Sequence, residues 1–105
     1  MILGQEAPAA TTPTDLYTNR PKFTTTFRVL IAERGAAAAT YRIAIRVAGE
    51  ALAVKQYIAF DVAIIANGED HTVPIETGPG DVVTVQASTA DLSFTVTGVE
   101  EPTAE

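Results

Sequence analysis

Residues 23–31 read Phe-Thr-Thr-Thr-Phe-Arg-Val-Leu-Ile, and they carry the clearest indication of the fold class. Phe23, Thr25, Phe27, Val29 and Ile31 alternate there with Thr24, Thr26, Arg28 and Leu30. A period of two places alternate residues on opposite faces of a β-strand. Similar alternating runs, broken by Gly, Asn, Asp and Pro, continue as far as Val99. The chain is therefore predicted to be all-β.

The same period predicts six strands, in addition to a short strand at Leu16-Tyr17. The expected strands are Lys22–Ala32, Thr40–Val47, Lys55–Ile64, Thr72–Glu76, Val82–Ala87 and Leu92–Gly98. Six or seven antiparallel strands with turns every ~8–12 residues are typical of a β-sandwich or jelly-roll-like domain. The third of these strands is apolar on both faces, so we expect it to be covered on both sides. The segment 36–39 is interpreted as part of a hairpin connection.

The chain divides into an arm, one domain and a tail. Residues 1–15 are rich in Ala, Thr and Pro without an apolar period, and they are predicted to form an extended N-terminal arm. Residues 16–99 are predicted to form the β-sandwich domain, and residues 100–105 a loose acidic tail. The tip of the arm is expected to bind a partner through Ile2, Leu3, Gly4 and Gln5. A disordered terminus is the alternative.

The charge is unevenly distributed along the chain. The net charge is −6, and residues 16–47 carry six basic side chains against one acid. An acidic chain is a poor ligand for nucleic-acid backbone, so no nucleic-acid partner is expected. The outward positions Arg28, Arg42 and Arg46 are predicted to form one basic face that meets an acidic partner. A merely solvated face is the alternative interpretation.

No residue pattern indicates a reaction centre. The chain has no cysteine and a single histidine, His71, beside two acids on a predicted loop. Ser88 has no nucleophile-elbow context, and Asp61 is expected to make a structural hydrogen bond. We therefore expect no catalytic residue, no metal site and no cofactor, and we predict that the protein is not an enzyme.

No apolar run reaches the ~20 residues that a membrane helix requires, so no membrane partner is expected. Met1-Ile2-Leu3 has no basic segment before it, and no signal peptide is recognised. The sequence is therefore interpreted as that of a soluble protein made in a cytoplasm.

Short motifs follow one another between residues 3 and 100 in a distinctive order. They are Leu3-Gly4-Gln5, Leu16-Tyr17, Tyr41-Arg42-Ile43-Ala44, Lys55-Gln56-Tyr57-Ile58-Ala59-Phe60-Asp61, the segment 80–88, Leu92-Ser93-Phe94 and Gly98-Val99-Glu100. In order and spacing they resemble a family of small tailed-phage virion structural proteins. Ala32-Glu33-Arg34 stands where that family often has Cys-Asn-Arg, so a role of that Cys or Asn is absent here.

The resemblance implies a structural component of a phage virion, assembled in the host cytoplasm. The leading hypothesis is a capsid decoration (cement) protein that binds the major capsid protein and bridges its subunits. A tail, neck or baseplate fibre or adaptor subunit is the first alternative, and a carbohydrate-binding module is a lower one. The two-sided apolar strand also predicts a homotrimer, with Tyr57, Ile58 and Phe60 at the subunit interface.

Overall fold

The computed structural model describes residues 1–103 and shows two antiparallel sheets packed face to face. The strands are β1 (Ile2–Glu6), β2 (Thr14–Thr18), β3 (Phe23–Glu33), β4 (Ala39–Arg46), β5 (Tyr57–Ile64), β6 (Glu69–His71), β7 (Ile75–Thr77), β8 (Val82–Ala87) and β9 (Leu92–Pro102). Two short 3-10 turns, Val47–Gly49 and Val54–Gln56, lie between β4 and β5. The prediction of an all-β sandwich is confirmed, with nine strands where the pattern indicated six or seven.

Sheet A has the order β1-β9-β3-β6, with β7 also paired to β3, and sheet B has the order β2-β8-β4-β5. Six of the eight connections between these strands cross from one sheet to the other. The prediction of a hairpin through residues 36–39 is wrong, because β3 lies in sheet A and β4 in sheet B. The expected strand Thr72–Glu76 is also wrong: Pro74 separates β6 from β7, since proline has no N–H for the ladder.

The core lies between the sheets and follows the alternation of β3. Phe27, Val29 and Ile31 are at most 2% exposed. They lie beside Phe94 and Val96 of the neighbouring strand β9, and together these side chains face sheet B. Each fully buried side chain of this size stabilises the fold by roughly 1.5–3 kcal/mol through removal from water. The buried interior of the sandwich is thus built mainly from its two longest strands and the facing residues of β4 and β8.

Strand β5 is not covered on both sides as expected. It pairs only with β4 and forms one edge of sheet B, and its Ile58 and Phe60 are about half exposed at 50% and 53%. The pairing with β4 has two register shifts, between Tyr41 and Ile43 and between Ile43 and Ala44. Such bulges twist an edge strand and interrupt its ladder.

Both ends of the described range belong to the sandwich. The predicted arm is extended, but Ile2–Glu6 is hydrogen-bonded to β9 as the edge strand of sheet A, and Leu3 packs against the core. The predicted loose tail is likewise ordered at its start, because β9 continues to Pro102 opposite Phe23. The rest of that tail, residues 104–105, lies outside the described residues. In residues 1–103, no helix has the length and apolar character needed to cross a bilayer.

Candidate partner-binding surface on strand β5

The exposed apolar side chains concentrate in one part of the chain, around strand β5. Within residues 1–103, eleven large hydrophobic residues are exposed, and six of them lie between residues 47 and 65: Val47, Leu52, Val54, Ile58, Phe60 and Ile65. They belong to β5 and to the connections on either side of it. Exposed apolar side chains that are scattered singly need no explanation, but a concentration of this kind marks an interaction surface.

The bulge in the middle of β5 exposes two consecutive side chains. Asp61 has a φ of 52°, in the left-handed region that non-glycine residues seldom occupy. Between two successive pairs with β4, strand β5 advances by three residues while β4 advances by two. The inward–outward alternation of β5 is therefore broken, and both Phe60 and Asp61 are exposed. The local backbone therefore places an aromatic ring and a carboxylate side by side on the surface.

Arg42 of β4 joins these two side chains and Tyr57 into a cluster, here called the β5 cluster. Its guanidinium lies 4.0 Å from the centre of the Phe60 ring and 5.9 Å from that of Tyr57. Its Nε and a terminal nitrogen donate to the two oxygens of Asp61 at 2.7 and 3.3 Å. The two rings meet edge to face, with centroids 5.0 Å apart. Aromatic residues and arginine are the types enriched at the centres of protein interfaces.

The ion pair holds both charges in place. The hydrogen bond from Arg42 lowers the pKa of Asp61, and the same bond raises the pKa of Arg42. The carboxylate and the guanidinium therefore stay charged across the physiological range. Because both groups are accessible to water, the pair adds little to the stability of the fold, but it fixes the orientation of the guanidinium on the Phe60 ring.

A groove of about 350 Å³ lies between the open edges of the two sheets, on the side of β5 that faces sheet A. Ile58 and Val62 of β5 form one wall, and Val73 and Ile75 form the other, with Tyr41 among the lining residues. The Tyr41 hydroxyl donates to Asp70 of β6 at 2.6 Å. Burial and this hydrogen bond raise the pKa of Tyr41, while the same bond lowers the pKa of Asp70. The groove and the β5 cluster therefore lie on the two sides of the same edge strand.

The predicted basic face does not form. Arg28 is exposed on β3 in sheet A, whereas Arg42 and Arg46 lie on β4 in sheet B. Arg46 is bound to the two oxygens of Asp15 at 3.0 and 3.1 Å. The sequence pattern placed β3 and β4 next to each other because they are consecutive, but consecutive strands of a sandwich often belong to different sheets.

The four residues expected to bind a partner at the N-terminus lie on β1, opposite the edge formed by β5. Gly4 lies so close to the carbonyl oxygen of Leu16 that a Cβ there would collide with it. Ile2 is 57% exposed, and Gln5 donates to Thr95 at 3.4 Å across the ladder. These residues form part of the folded domain, and Ile2 presents an apolar side chain at its surface.

The three subunit-interface residues expected from the sequence, Tyr57, Ile58 and Phe60, all lie on the surface described above. Sequence reasoning missed the contributions of Leu52, Val54 and Val73 to it. A signal was available, because apolar residues between Val47 and Val54 follow neither a strand nor a helix period. Apolar residues without a period cannot all face one core, and some of them must remain on the surface.

The polar candidates contribute no further site. His71 is exposed on β6, and the Ser88 hydroxyl accepts the backbone N–H of Thr40 at 2.9 Å. Within residues 1–103, no three side chains among His, Cys, Asp and Glu come together so that they could hold a metal ion. No family model matches the chain, and no curated protein or solved structure matches it significantly. The fold and the surface around β5 define an all-β sandwich with a candidate partner-binding face.

Proposed function

We propose that this protein is a structural component of a tailed-phage virion, a capsid decoration protein that attaches to the major capsid protein through the surface around β5. The single observation that carries the proposal is the β5 cluster, exposed on an edge strand of the sandwich. The resemblance of residues 3–100 to small phage virion proteins supports the assignment to a particle. The −6 charge also argues against a role on the packaged nucleic acid.

The bulges of β5 bear on the kind of partner. Two copies that paired edge to edge would need straight ladders, and bulges on edge strands discourage such pairing. The β5 cluster and Ile58 are therefore suited to packing by side chains against a surface of different shape, such as that of a capsid subunit. This proposal replaces the sequence-based hypothesis that Tyr57, Ile58 and Phe60 join sister subunits.

Carbohydrate binding is the less favoured function. Sugar rings stack on a flat, open aromatic face, whereas the rings of Tyr57 and Phe60 are inclined by 79° to each other. One face of the Phe60 ring is also covered by the guanidinium of Arg42 at 4.0 Å. Binding of the purified protein to a glycan array, lost in Phe60→Ala, would favour this function over decoration.

The test is attachment of the protein to purified particles that lack it. We expect Phe60→Ala to weaken attachment about tenfold or more, since truncating an aromatic residue at the centre of an interface typically costs more than ~1.4 kcal/mol. Val99→Ala is the matched control, because Val99 is 58% exposed but lies on β9 in sheet A. Equal attachment of wild type and Phe60→Ala would contradict the proposal.

Copy number distinguishes decoration from the tail alternative. A decoration protein covers the shell and is present in hundreds of copies per particle, whereas a tail, neck or baseplate subunit is present in a few to tens. Quantitative mass spectrometry of purified particles gives this number. A low copy number would keep the virion assignment and move the protein from the capsid to the tail.

A further inference from the structure

Strand β1 is held to the domain mainly by a ladder along one side. It pairs with β9 and ends sheet A, and four of its five residues have partners on β9, with a register shift between the first two: Ile2, Gly4, Gln5 and Glu6. Met1 continues the ladder through two hydrogen bonds to Gly98. The Met1 ammonium donates to the Gly98 carbonyl at 2.8 Å, and the Gly98 N–H donates to the Met1 carbonyl at 2.9 Å. No residue of β1 is buried, although Leu3 is half-buried against the core.

The segment that joins β1 to β2 is strained. Its seven residues, 7–13, include a tight turn in which the Thr12 N–H donates to the Ala9 carbonyl at 3.2 Å. Thr11 in this turn has a φ of 55°. A β-branched residue is disfavoured in the left-handed region, because its side chain clashes with the backbone. The segment therefore stores conformational strain that an extended path would release.

From these observations we propose that β1 is exchanged between copies of this chain, so that β1 of one copy completes sheet A of a neighbour by pairing with its β9. The exchange keeps every β1–β9 hydrogen bond and replaces the strained turn at Thr11 with an extended linker, at the loss of the hydrogen bond from the Thr11 N–H to the Ala87 carbonyl of β8 at 2.7 Å. Pro8 and Pro13 favour extended conformations, which limits the entropy lost when the linker straightens. Exchange of an identical element is a low-cost route to self-association.

The length of the linker fits this arrangement. Seven extended residues span ~23 Å. The domain measures 49 × 27 × 19 Å, so a straight linker is longer than its smallest dimension and reaches a copy that lies alongside in that direction. Reciprocal exchange gives a dimer, and exchange in one direction around a ring gives the trimer that the sequence predicted. The inference concerns sheet A and does not rest on the proposed role of the β5 surface in sheet B.

A disulfide between β1 and β9 tests the exchange, because the natural chain contains no cysteine. Gln5 and Thr95 are register partners whose side chains touch, so Gln5→Cys with Thr95→Cys places two thiols within bonding reach. On a non-reducing denaturing gel we expect covalent dimers or larger species, with peptide mapping that shows the link between positions 5 and 95. A double variant that forms this link only within single chains would overturn the proposal.

Two single variants refolded together provide an independent measurement. Chains with only Gln5→Cys and chains with only Thr95→Cys can form the link between positions 5 and 95 only across two copies. We expect this link in the refolded mixture and in no single-variant sample. Its absence, with both variants folded by circular dichroism, would also overturn the proposal.

The strain at Thr11 provides the matched pair of variants. Thr11→Gly relaxes the closed turn, because glycine adopts a positive φ without a steric cost, and it is expected to raise the monomer fraction several-fold in sedimentation. Thr12→Gly makes the same chemical change at a neighbouring position without a positive φ, and it should change that fraction far less. Equal monomer fractions in the two variants would show that strain at Thr11 does not drive exchange.

Discussion

Strands β3 and β5 both carry large apolar side chains, but β3 has neighbours on both sides and β5 has one. Phe27, Val29 and Ile31 of β3 are almost fully buried, whereas Phe60 and Ile58 of β5 are about half exposed. Similar residue types therefore build the core in one strand and a surface in the other. The position of a strand in its sheet therefore controls whether its apolar residues stabilise the fold or remain available for a partner.

The largest expected contrast is between two phenylalanines. Phe94 is fully buried opposite Ile31, and Phe94→Ala should lower the free energy of unfolding by about 3–5 kcal/mol, because a cavity remains and apolar contacts are lost. Phe60→Ala should lower it by less than about 1 kcal/mol, since the ring is half exposed. Urea denaturation measures both values. Similar losses in the two variants would show that β5 contributes to the core.

A second contrast concerns two glycines. A Cβ at Gly98 would collide with the backbone of Thr26 and Phe27 across the β3–β9 ladder, and Gly98→Ala should cost about 1–3 kcal/mol of stability. Gly78→Ala is the control, because the nearest atom to a Cβ there is an Asp81 oxygen at 4.0 Å. It should cost much less in the same urea titration. A tolerated Gly98→Ala would mean that β3 and β9 approach less closely than described.

The next expected effect is a loss of stability at alkaline pH that originates at Tyr41, on the strand next to β5. Burial and the bond to Asp70 raise the pKa of Tyr41 above its ordinary value of 10.0, so above about pH 10 the folded chain keeps a proton that the unfolded chain releases. The contribution of Tyr41 to the free energy of unfolding is therefore fully present below about pH 10 and declines as the pH rises further. Burial also raises the pKa of Tyr17. We expect the decline in thermal midpoint to be shallower in Tyr41→Phe than in wild type, and equal slopes would contradict this assignment.

A smaller effect is expected when the charged part of the β5 cluster is changed. Arg42→Met should leave the urea midpoint nearly unchanged, because the ion pair with Asp61 is exposed to water. It should nevertheless weaken attachment to particles several-fold, since the ordered guanidinium is lost from the Phe60 ring. Arg28→Met, on the exposed face of sheet A, is the control and should change neither the urea midpoint nor attachment to particles. A large drop in stability in Arg42→Met would assign Arg42 to the fold and not to the surface.

The smallest expected effect is that of salt. Arg42 and Arg46 already bind Asp61 and Asp15 of their own chain, so they offer a partner little free charge. Between ~0.05 and ~0.5 M salt the Debye length falls from ~14 to ~4 Å. We expect attachment to change less than tenfold across this range in a particle-binding series. A steep decrease would restore the charge-driven binding that the sequence suggested.

The alternation of apolar and polar residues predicted the strands with the strongest period. Val82–Ala87 was predicted with its bounds, and Phe23–Glu33 within one residue at each end. The same signal failed at β1, where Gly4 and Gln5 interrupt any apolar period. A strand at a sheet edge that is stabilised by backbone hydrogen bonds leaves little trace in side-chain pattern.

The candidate site was predicted in part. The residues Tyr57, Ile58 and Phe60 were chosen because their strand is apolar on both faces, and all three lie on the proposed surface. Their interpretation as a fully covered strand was wrong, because sequence does not show how many neighbours a strand has. The stacking of Arg42 on Phe60 depends on a bulge at Asp61, which no local signal indicated.

The fold class follows from the sequence alone, because the period of two and the turn residues are local properties of the chain. The same period shows which residues of β3 face the core. Which strands are neighbours became known only from the assembled fold, since most connections cross between the sheets and the pairing energy comes from residues far apart in sequence. For the same reason, the burial of an apolar residue, the pairing of Arg46 with Asp15 and the exposure of Phe60 became visible only when both sheets were assembled.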